Sequence, residues 1–337
     1  MKIGIFGTGA IGGYLGGRLA ERGHTVTFLA RGRGAEDLRA HGMTLSDLRE
    51  TKPAHIAPSD LRCVTDPEEL AGSEVVLVCV KSAQTEDAAK TLATIVTKET
   101  LVVSMQNGVR NAITLRAHLG NVLGGIVGFN VLAEDKGVFR RATTGLLVVE
   151  ASADPKVEPL ARALREAGFD TQVTDDITGQ QWSKLLMNLN NAVGALTNAT
   201  TREVIFDGKH RRILRVVVNE ALAVLKKAKI KPARLGPIPV HVFPIALALP
   251  TALLRVVARA QVKVDPNARS SMWQDLDRRR RTEVDWLNGE VVSLATKVGT
   301  TAPINARVVE LVHAAEEAGK GSPCIAADDL YATLTRA

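Results

Sequence analysis

The 337-residue sequence predicts an α/β domain followed by an all-helical domain. Three observations carry this. Short apolar runs alternate with helix-like stretches through the first half, the pattern of a parallel sheet covered by helices. Strand signals fade after about residue 170. From Gln181 the apolar spacing is helical nearly to the end. The expected domains are 1–172 and 173–337.

The elements follow in order. KIGIF (2–6) is a strand, and GGYLGGRLAERG (12–23) is a helix that stops at Gly23. TVTFLA (25–30) is the next strand. VVLVCV (75–80) and LVVS (101–104) are unbroken β-rich runs, as expected of strands buried on both faces, and GLLVVE (145–150) is another. TDDITGQQ (174–181) connects to QWSKLLMNLNNAVGAL (181–196), read as one buried helix. SSMWQDLDRRRRTEVDWLNGE (270–290) also reads as one helix, with Met272, Leu276, Leu287 and Leu294 close to one face.

Composition narrows the function classes. Hydrophobic residues make up 45% and charged residues 23%, an ordinary globular mixture. A net charge of +7 suits phosphates and carboxylates as well as nucleic acid. The run Arg278 to Arg281 lacks the interleaved aromatics of a single-strand binder. It reads as a solvated face, so no nucleic-acid partner is expected. Cys63, Cys79 and Cys324 are too scattered for a disulfide framework or a zinc site, and the seven histidines show no metal-ligand pattern. With no secretory-type N-terminus, the expected location is the cytoplasm. The apolar stretch 237–258 could suggest a membrane span, but Pro237, Pro239, Pro244 and Pro250 interrupt it. It reads as a loop followed by a buried or interface helix. No membrane partner is expected, and the apolar insert hints at a homodimer.

Gly7-Thr8-Gly9-Ala10-Ile11-Gly12 is a GxGxxG placed directly between a strand and a helix. That context marks a Rossmann-type dinucleotide-binding loop. Gly7 permits the tight turn, Gly9 lets a pyrophosphate approach the backbone, and Gly12 allows close helix–sheet packing. The second strand ends in Leu29-Ala30-Arg31-Gly32-Arg33, with no carboxylate to hold a ribose 2′-hydroxyl. Arg31, with Arg33 assisting, suits a 2′-phosphate, which favours NADP(H). Lys81 and Asn107 stand at further strand ends, where open sheets bind ligands, although a solvated lysine and a turn asparagine would look the same.

In the helix 181–196, Lys184, Asn188 and Asn191 make one polar stripe at i, i+4 and i+7. A buried lysine without a partner tends to lose its proton, which makes Lys184 a candidate proton donor of tunable pKa. The asparagines could orient a carboxylate or hydroxyl. Glu283, on the apolar stripe of its segment, could pair with Lys184 or a substrate hydroxyl. Ser271, near a helix start, could favour an anion or simply cap the helix.

These residues carry a resemblance. KIGIFGTGAIGGYLG, VKSAQ, QNG, WSKLLMN and SSMWQDLDRRRRTEVDWLNG occur in the order seen in the ketopantoate reductases (2-dehydropantoate 2-reductases), which the sequence resembles from residue 1 to about 290. The resemblance implies NADPH-dependent reduction of 2-dehydropantoate to pantoate, in pantothenate and coenzyme A synthesis. It implies a helical second domain related to that of 6-phosphogluconate dehydrogenase. By motif, Lys184 would be the general acid, and Asn188 and Ser271 would bind substrate. Glu283 would contact the substrate hydroxyl and the cofactor. Asn107 would touch the nicotinamide end, and Lys81 would line the cleft, toward substrate and cofactor. Two departures bear on the substrate. Where the family pattern has a second asparagine eight residues after the lysine, this chain has Ala192, and Asn191 stands one residue earlier. The insert around 232–260 is longer than in the shortest family members. Reduction of another 2-oxo acid, or silent NADPH binding, are the alternatives.

Overall fold

The computed structural model describes residues 1–48, 52–234, 242–258 and 268–336. They form two compact units, Met1–Ile177 and Thr178–Ala337.

The first unit holds twelve strands among the described residues: β1 (Lys2–Phe6), β2 (Thr25–Leu29), β3 (Met43–Ser46), β4 (Ala54–Ile56), β5 (Arg62–Val64), β6 (Val75–Val78), β7 (Leu101–Ser104), β8 (Val122–Val127), β9 (Val131–Glu134), β10 (Val138–Arg141), β11 (Leu147–Glu150) and β12 (Thr171–Thr174). Its helices are α1 (Ala10–Glu21), α2 (Gly32–His41), α3 (Thr85–Ala93), α4 (Asn111–Arg116) and α5 (Val157–Glu166). Eight strands form a sheet in the order β12-β11-β8-β7-β6-β1-β2-β5. All neighbours run parallel except β8 and β11. Side chains alternate across each strand, so both faces are buried. Ile3, Ile5, Val75 and Leu77 pack with Leu15 and Leu19 of α1 on one face. Val76 and Val78 pack with Leu92 of α3 and Leu115 of α4 on the other.

A second sheet, β4-β3-β10-β9, was not expected from the sequence. Its strands are three or four residues long, and β10 pairs in parallel with β3 from far along the chain (Val138 opposite Thr44). Period-two alternation over so few residues gives little local signal. Arg141 secures this sheet, reaching Asp47 at 3.2 Å and lying over the Phe129 ring at 4.2 Å.

The second unit contains α6 (Ile177–Asn188), α7 (Asn190–Thr197), α8 (Thr201–Phe206), α9 (Gly208–Lys227), α10 (Phe243–Ala248), α11 (Thr251–Ala258), α12 (Ser271–Asp277), α13 (Asn288–Lys297), α14 (Pro303–Ala318) and α15 (Ala327–Thr335). Helix α6 begins at the last residue of the first unit. The helix expected over 181–196 is broken at Leu189. There the Asn190 side-chain amide donates to the Met187 carbonyl at 2.5 Å, and such side-chain competition within the ladder breaks or kinks a helix.

The single helix expected over 270–290 is not formed either. Helix α12 ends with Arg279 in the left-handed region (φ 53°). The N–H of Arg280 donates to Asp275 and that of Arg279 to Leu276, which closes a Schellman turn. Beyond it the Glu316 carboxylate accepts from the Thr282 N–H and the Arg281 guanidinium, both at 2.7 Å. Periodicity cannot foresee a partner 34 residues away. All four arginines of the run are exposed.

In the apolar insert, Pro237 and Pro239 lie outside the described residues. Pro244 sits in the first turn of α10 and Pro250 separates α10 from α11, so the stretch yields two short helices instead of one. Arg211 of α9 pins their junction, donating to the Leu249 carbonyl and the Thr251 hydroxyl. Ile245 and Leu253 remain 65% and 49% exposed. No helix among the described residues is long and apolar enough to cross a membrane.

Candidate active site

In the first unit β1 is flanked by β2 on one side and β6 on the other, so the winding reverses there. Open α/β sheets bind ligands at the carboxyl ends of strands at this point. Gly7 follows β1 with φ 103°, and a Cβ there would meet Val80 Cγ1 at 2.6 Å. A Cβ on Gly12 would lie 2.2 Å from the Gly7 carbonyl oxygen. A Cβ on Gly9 would meet nothing within 4 Å, so the space over that residue is open to a ligand. Gly9 is the N-cap of α1, no side chain caps the helix, and its first turn has no acidic residue. The N–H groups of Ala10 and Ile11 therefore open an anion-favouring helix terminus. Thr8 also anchors the loop. Its hydroxyl and N–H both donate to the Leu29 carbonyl, at 2.9 and 3.2 Å, which ties the loop to the end of β2.

Arg31, one residue beyond Ala30 after β2, is exposed, and no ion pair or hydrogen bond engages its side chain among the described residues. Arg33 is already engaged by Asp135 at 3.0 Å. The loop and Arg31 together fit a dinucleotide bearing a 2′-phosphate.

Lys81 and Asn107 follow β6 and β7, adjacent strands that end in register (Val78 opposite Ser104). Lys81 is exposed and Asn107 partly buried. Sequence reasoning missed what lies under them. Ser82, Thr85, Ser104, Gln106 and Asn111 are all buried and bonded to one another or to nearby main chain. The available signal was polar residues beside the motif positions in VKSAQ and QNG.

The second unit carries the polar stripe. Lys184 is partly buried, Asn188 buried and Asn191 partly buried, on consecutive turns of α6 and α7. Removal from water lowers the Lys184 ammonium from its ordinary value to about 8. No hydrogen bond or ion pair engages it among the described residues, so the pairing with Glu283 considered above is not made. Asn191 reaches Ser271, with Nδ2 donating to Oγ at 3.5 Å. The cap of α12 is Ser270, whose hydroxyl accepts from the Trp273 N–H at 3.1 Å and donates to the Asn191 carbonyl. Ser271 is thus the first helical residue and leaves its own hydroxyl exposed beside Asn191. Glu283 sits between two tethers, the Thr282–Glu316 bond and a buried Asn288–Asn305 side-chain bond of 3.0 Å.

Met187 was expected in the buried body of its helix, yet it is 40% exposed. Its position at i+3 from Lys184 puts it on the same side of α6 as Lys184, an apolar group beside a polar one. Ala192, by contrast, is fully buried. Burial raises the Cys79 thiol to about 12, so it is no nucleophile.

Residues 3–154 match the family model described as ketopantoate reductase PanE/ApbA, and residues 176–316 match its C-terminal counterpart. The 2-dehydropantoate 2-reductase of Pyrococcus horikoshii is 29% identical, over 96% of this chain and 100% of that protein. A PanE/ApbA family ketopantoate reductase structure from Ralstonia eutropha JMP134 is 31% identical with a TM-score of 0.79, covering 95% of this chain and 100% of its own. D-mandelate dehydrogenase, solved with NADH and anilino(oxo)acetate, is similar in fold at a TM-score of 0.80 and 21% identity, over 95% of this chain and 99% of its own.

Proposed function

We propose, for a chain that belongs to the ketopantoate reductase family of oxidoreductases, the NADPH-dependent reduction of 2-dehydropantoate to pantoate. The observation that carries the reading is Lys184: a partly buried ammonium with a pKa of about 8, one turn before Asn188 on α6. A lysine so tuned can give up a proton near neutral pH, as a general acid must. NADPH, when bound, would supply hydride chemistry for the keto carbon. Lys184 donates its proton to the alkoxide as charge develops there, and its positive charge stabilises that oxygen before transfer. Asn188, Asn191 and Ser271 orient the carboxylate and hydroxyl groups of the acid. Glu283 accepts from the substrate hydroxyl and contacts the cofactor. Gly7, Thr8, Gly9, Ala10, Ile11 and Gly12 would hold the pyrophosphate and Arg31 the 2′-phosphate, with Asn107 and Lys81 toward the reacting end. The reaction belongs to pantothenate and coenzyme A synthesis in the cytoplasm. A second copy covering Ile245 and Leu253 would make a dimer, which sedimentation velocity tests.

Absorbance at 340 nm with 2-dehydropantoate tests the reading, with NADH and a panel of branched 2-oxo acids beside it. Rapid oxidation of NADPH with 2-dehydropantoate alone supports it. Two observations favour a second reading, in which another 2-oxo acid is preferred. Ala192 stands buried where the family pattern has asparagine, and Met187 offers an apolar contact beside Lys184. Preference for a different acid in the panel establishes that alternative. Tight NADPH binding without turnover of any acid overturns both in favour of a silent binder.

A further inference from the structure

The ends of β6 and β7 bury five polar side chains where both strands are otherwise apolar. Burying polar groups is costly unless every one is bonded, and apolar side chains could close the same space at less risk. The bonds converge on one main-chain atom. The Asn107 carbonyl oxygen accepts from Asn111 Nδ2 at 2.5 Å and from Ser82 Oγ at 3.1 Å. Asn111 Nδ2 also reaches Ser82 Oγ at 3.2 Å, and Asn111 Oδ1 accepts from the Thr85 hydroxyl at 2.8 Å. Gln106 locks Thr85 in turn, donating to its oxygen at 2.7 Å and to the Val80 carbonyl at 3.0 Å.

The next residue shows why this atom would need two donors. Gly108 has φ 90°, a conformation that glycine enters and leaves freely. The peptide between Asn107 and Gly108 could therefore follow a turn of Asn107 about its own N–Cα bond, a turn that carries the Asn107 side chain and carbonyl together away from the strand end. Two buried donors on the carbonyl fix that peptide. We propose that Asn111, with Ser82, is a positioning residue: it clamps the Asn107 carbonyl and so aims the Asn107 side chain at the nicotinamide end of the cofactor. The inference rests on the role of Asn107 in the proposed reductase, but not on which 2-oxo acid is reduced.

A double-mutant cycle tests it. Asn107→Ala, Asn111→Ala, Ser82→Ala and the two doubles with Asn107→Ala are compared for kcat and, by NADPH fluorescence titration, for cofactor Kd. Thermal melts confirm that each variant is folded. If Asn111 acts through Asn107, each single variant loses about 10-fold or more in kcat, since small misplacements at a reacting centre cost 10-fold to 100-fold. The doubles are then no slower than Asn107→Ala alone. A merely structural role predicts that the losses multiply, and that result overturns the clamp, as does an unchanged kcat and Kd in Asn111→Ala. Should Asn111→Ala fail to fold, the Ser82→Ala arm decides the question in the same way. If the wild-type chain reduces no 2-oxo acid, the proposed function fails. The cycle is then read in Kd alone, where equal, non-multiplying losses support the clamp and unchanged or multiplying ones overturn it.

Discussion

In the first unit the groups proposed to face a ligand are mostly main-chain N–H groups from a single stretch, Gly7 to Gly12, whereas in the second they are side chains from helices 80 residues apart, as in the Asn191–Ser271 contact. The first arrangement depends on what is missing. Gly7 and Gly12 matter because no Cβ fits at either, and Gly9 because the space over it is open. The second depends on what is present at exact places, a lysine with no partner of its own among the described residues and a hydroxyl brought next to an amide. A site built of backbone is therefore broken by adding atoms, and a site built of side chains by removing them.

That contrast orders the expected effects. The largest is removal of the acid. Lys184→Ala lowers kcat by about 100-fold to 10,000-fold, the usual worth of general acid catalysis, while NADPH titration shows an almost unchanged Kd. Near-normal turnover would remove Lys184 from the mechanism. Its titration makes the same point without mutation. The ammonium is the donating form, so kcat/KM is level at low pH and falls as pH rises through about 8. The sign for stability is opposite. The folded chain releases this proton near 8 and the unfolded chain near the ordinary 10.5, so in that window the unfolded chain binds more protons. This group's contribution therefore makes the fold more stable as pH rises from about 8 to 10.5, an increase that Lys184→Met abolishes in chemical denaturation.

Addition of one methyl group tests the backbone side of the comparison. In Gly12→Ala the new Cβ would meet the Gly7 carbonyl at 2.2 Å, so the loop must shift. Overpacking of this kind costs about 1–3 kcal/mol, and a lowered Tm with at least 10-fold weaker NADPH binding is expected. Arg31→Ala should be milder, because it removes one charged contact and leaves the loop intact. The expected loss is about 10-fold in NADPH affinity with NADH unchanged, in line with roughly 1.5–3 kcal/mol for a hydrogen bond to a charged group. Equal losses for both cofactors would take Arg31 off the 2′-phosphate. The smallest change is in specificity. Met187→Ala should move the kcat/KM ratio between larger and smaller 2-oxo acids by about 10-fold, the low end for hydrophobic discrimination. An unmoved ratio would show that Met187 faces only solvent.

The legible parts of the chain are the local ones. The strand–GxGxxG–helix unit is a run of neighbours, and the placement of Lys184 and Asn188 one helical turn apart is read from spacing, whereas the break at Leu189 puts Asn191 on the next helix. The second sheet was not legible, because β3 and β10 are short and pair across most of the unit. Neither was the break after α12. Four arginines and the apolar spacing both permit a longer helix, but the left-handed turn at Arg279 ends it and Glu316 of α14 holds the chain beyond. The exposure of Met187 was hidden for a related reason: helical periodicity gives its face but not whether anything covers that face.

The sequence by itself determined the fold class, the dinucleotide loop, the lack of a carboxylate after β2 and the placement of Lys184 and Asn188 one turn apart on a helix. Each of these is a property of residues a few positions apart, so local sterics and periodicity suffice. Only the tertiary structure decided that the Ser270 hydroxyl meets the Asn191 carbonyl, that Arg33 is held by Asp135 while Arg31 is not, and that buried Ser82 meets the Asn107 carbonyl. Hydrogen bonds and ion pairs form by distance in space, and residues 25 to 102 positions apart come within 3 Å or so only after the strands and helices have packed.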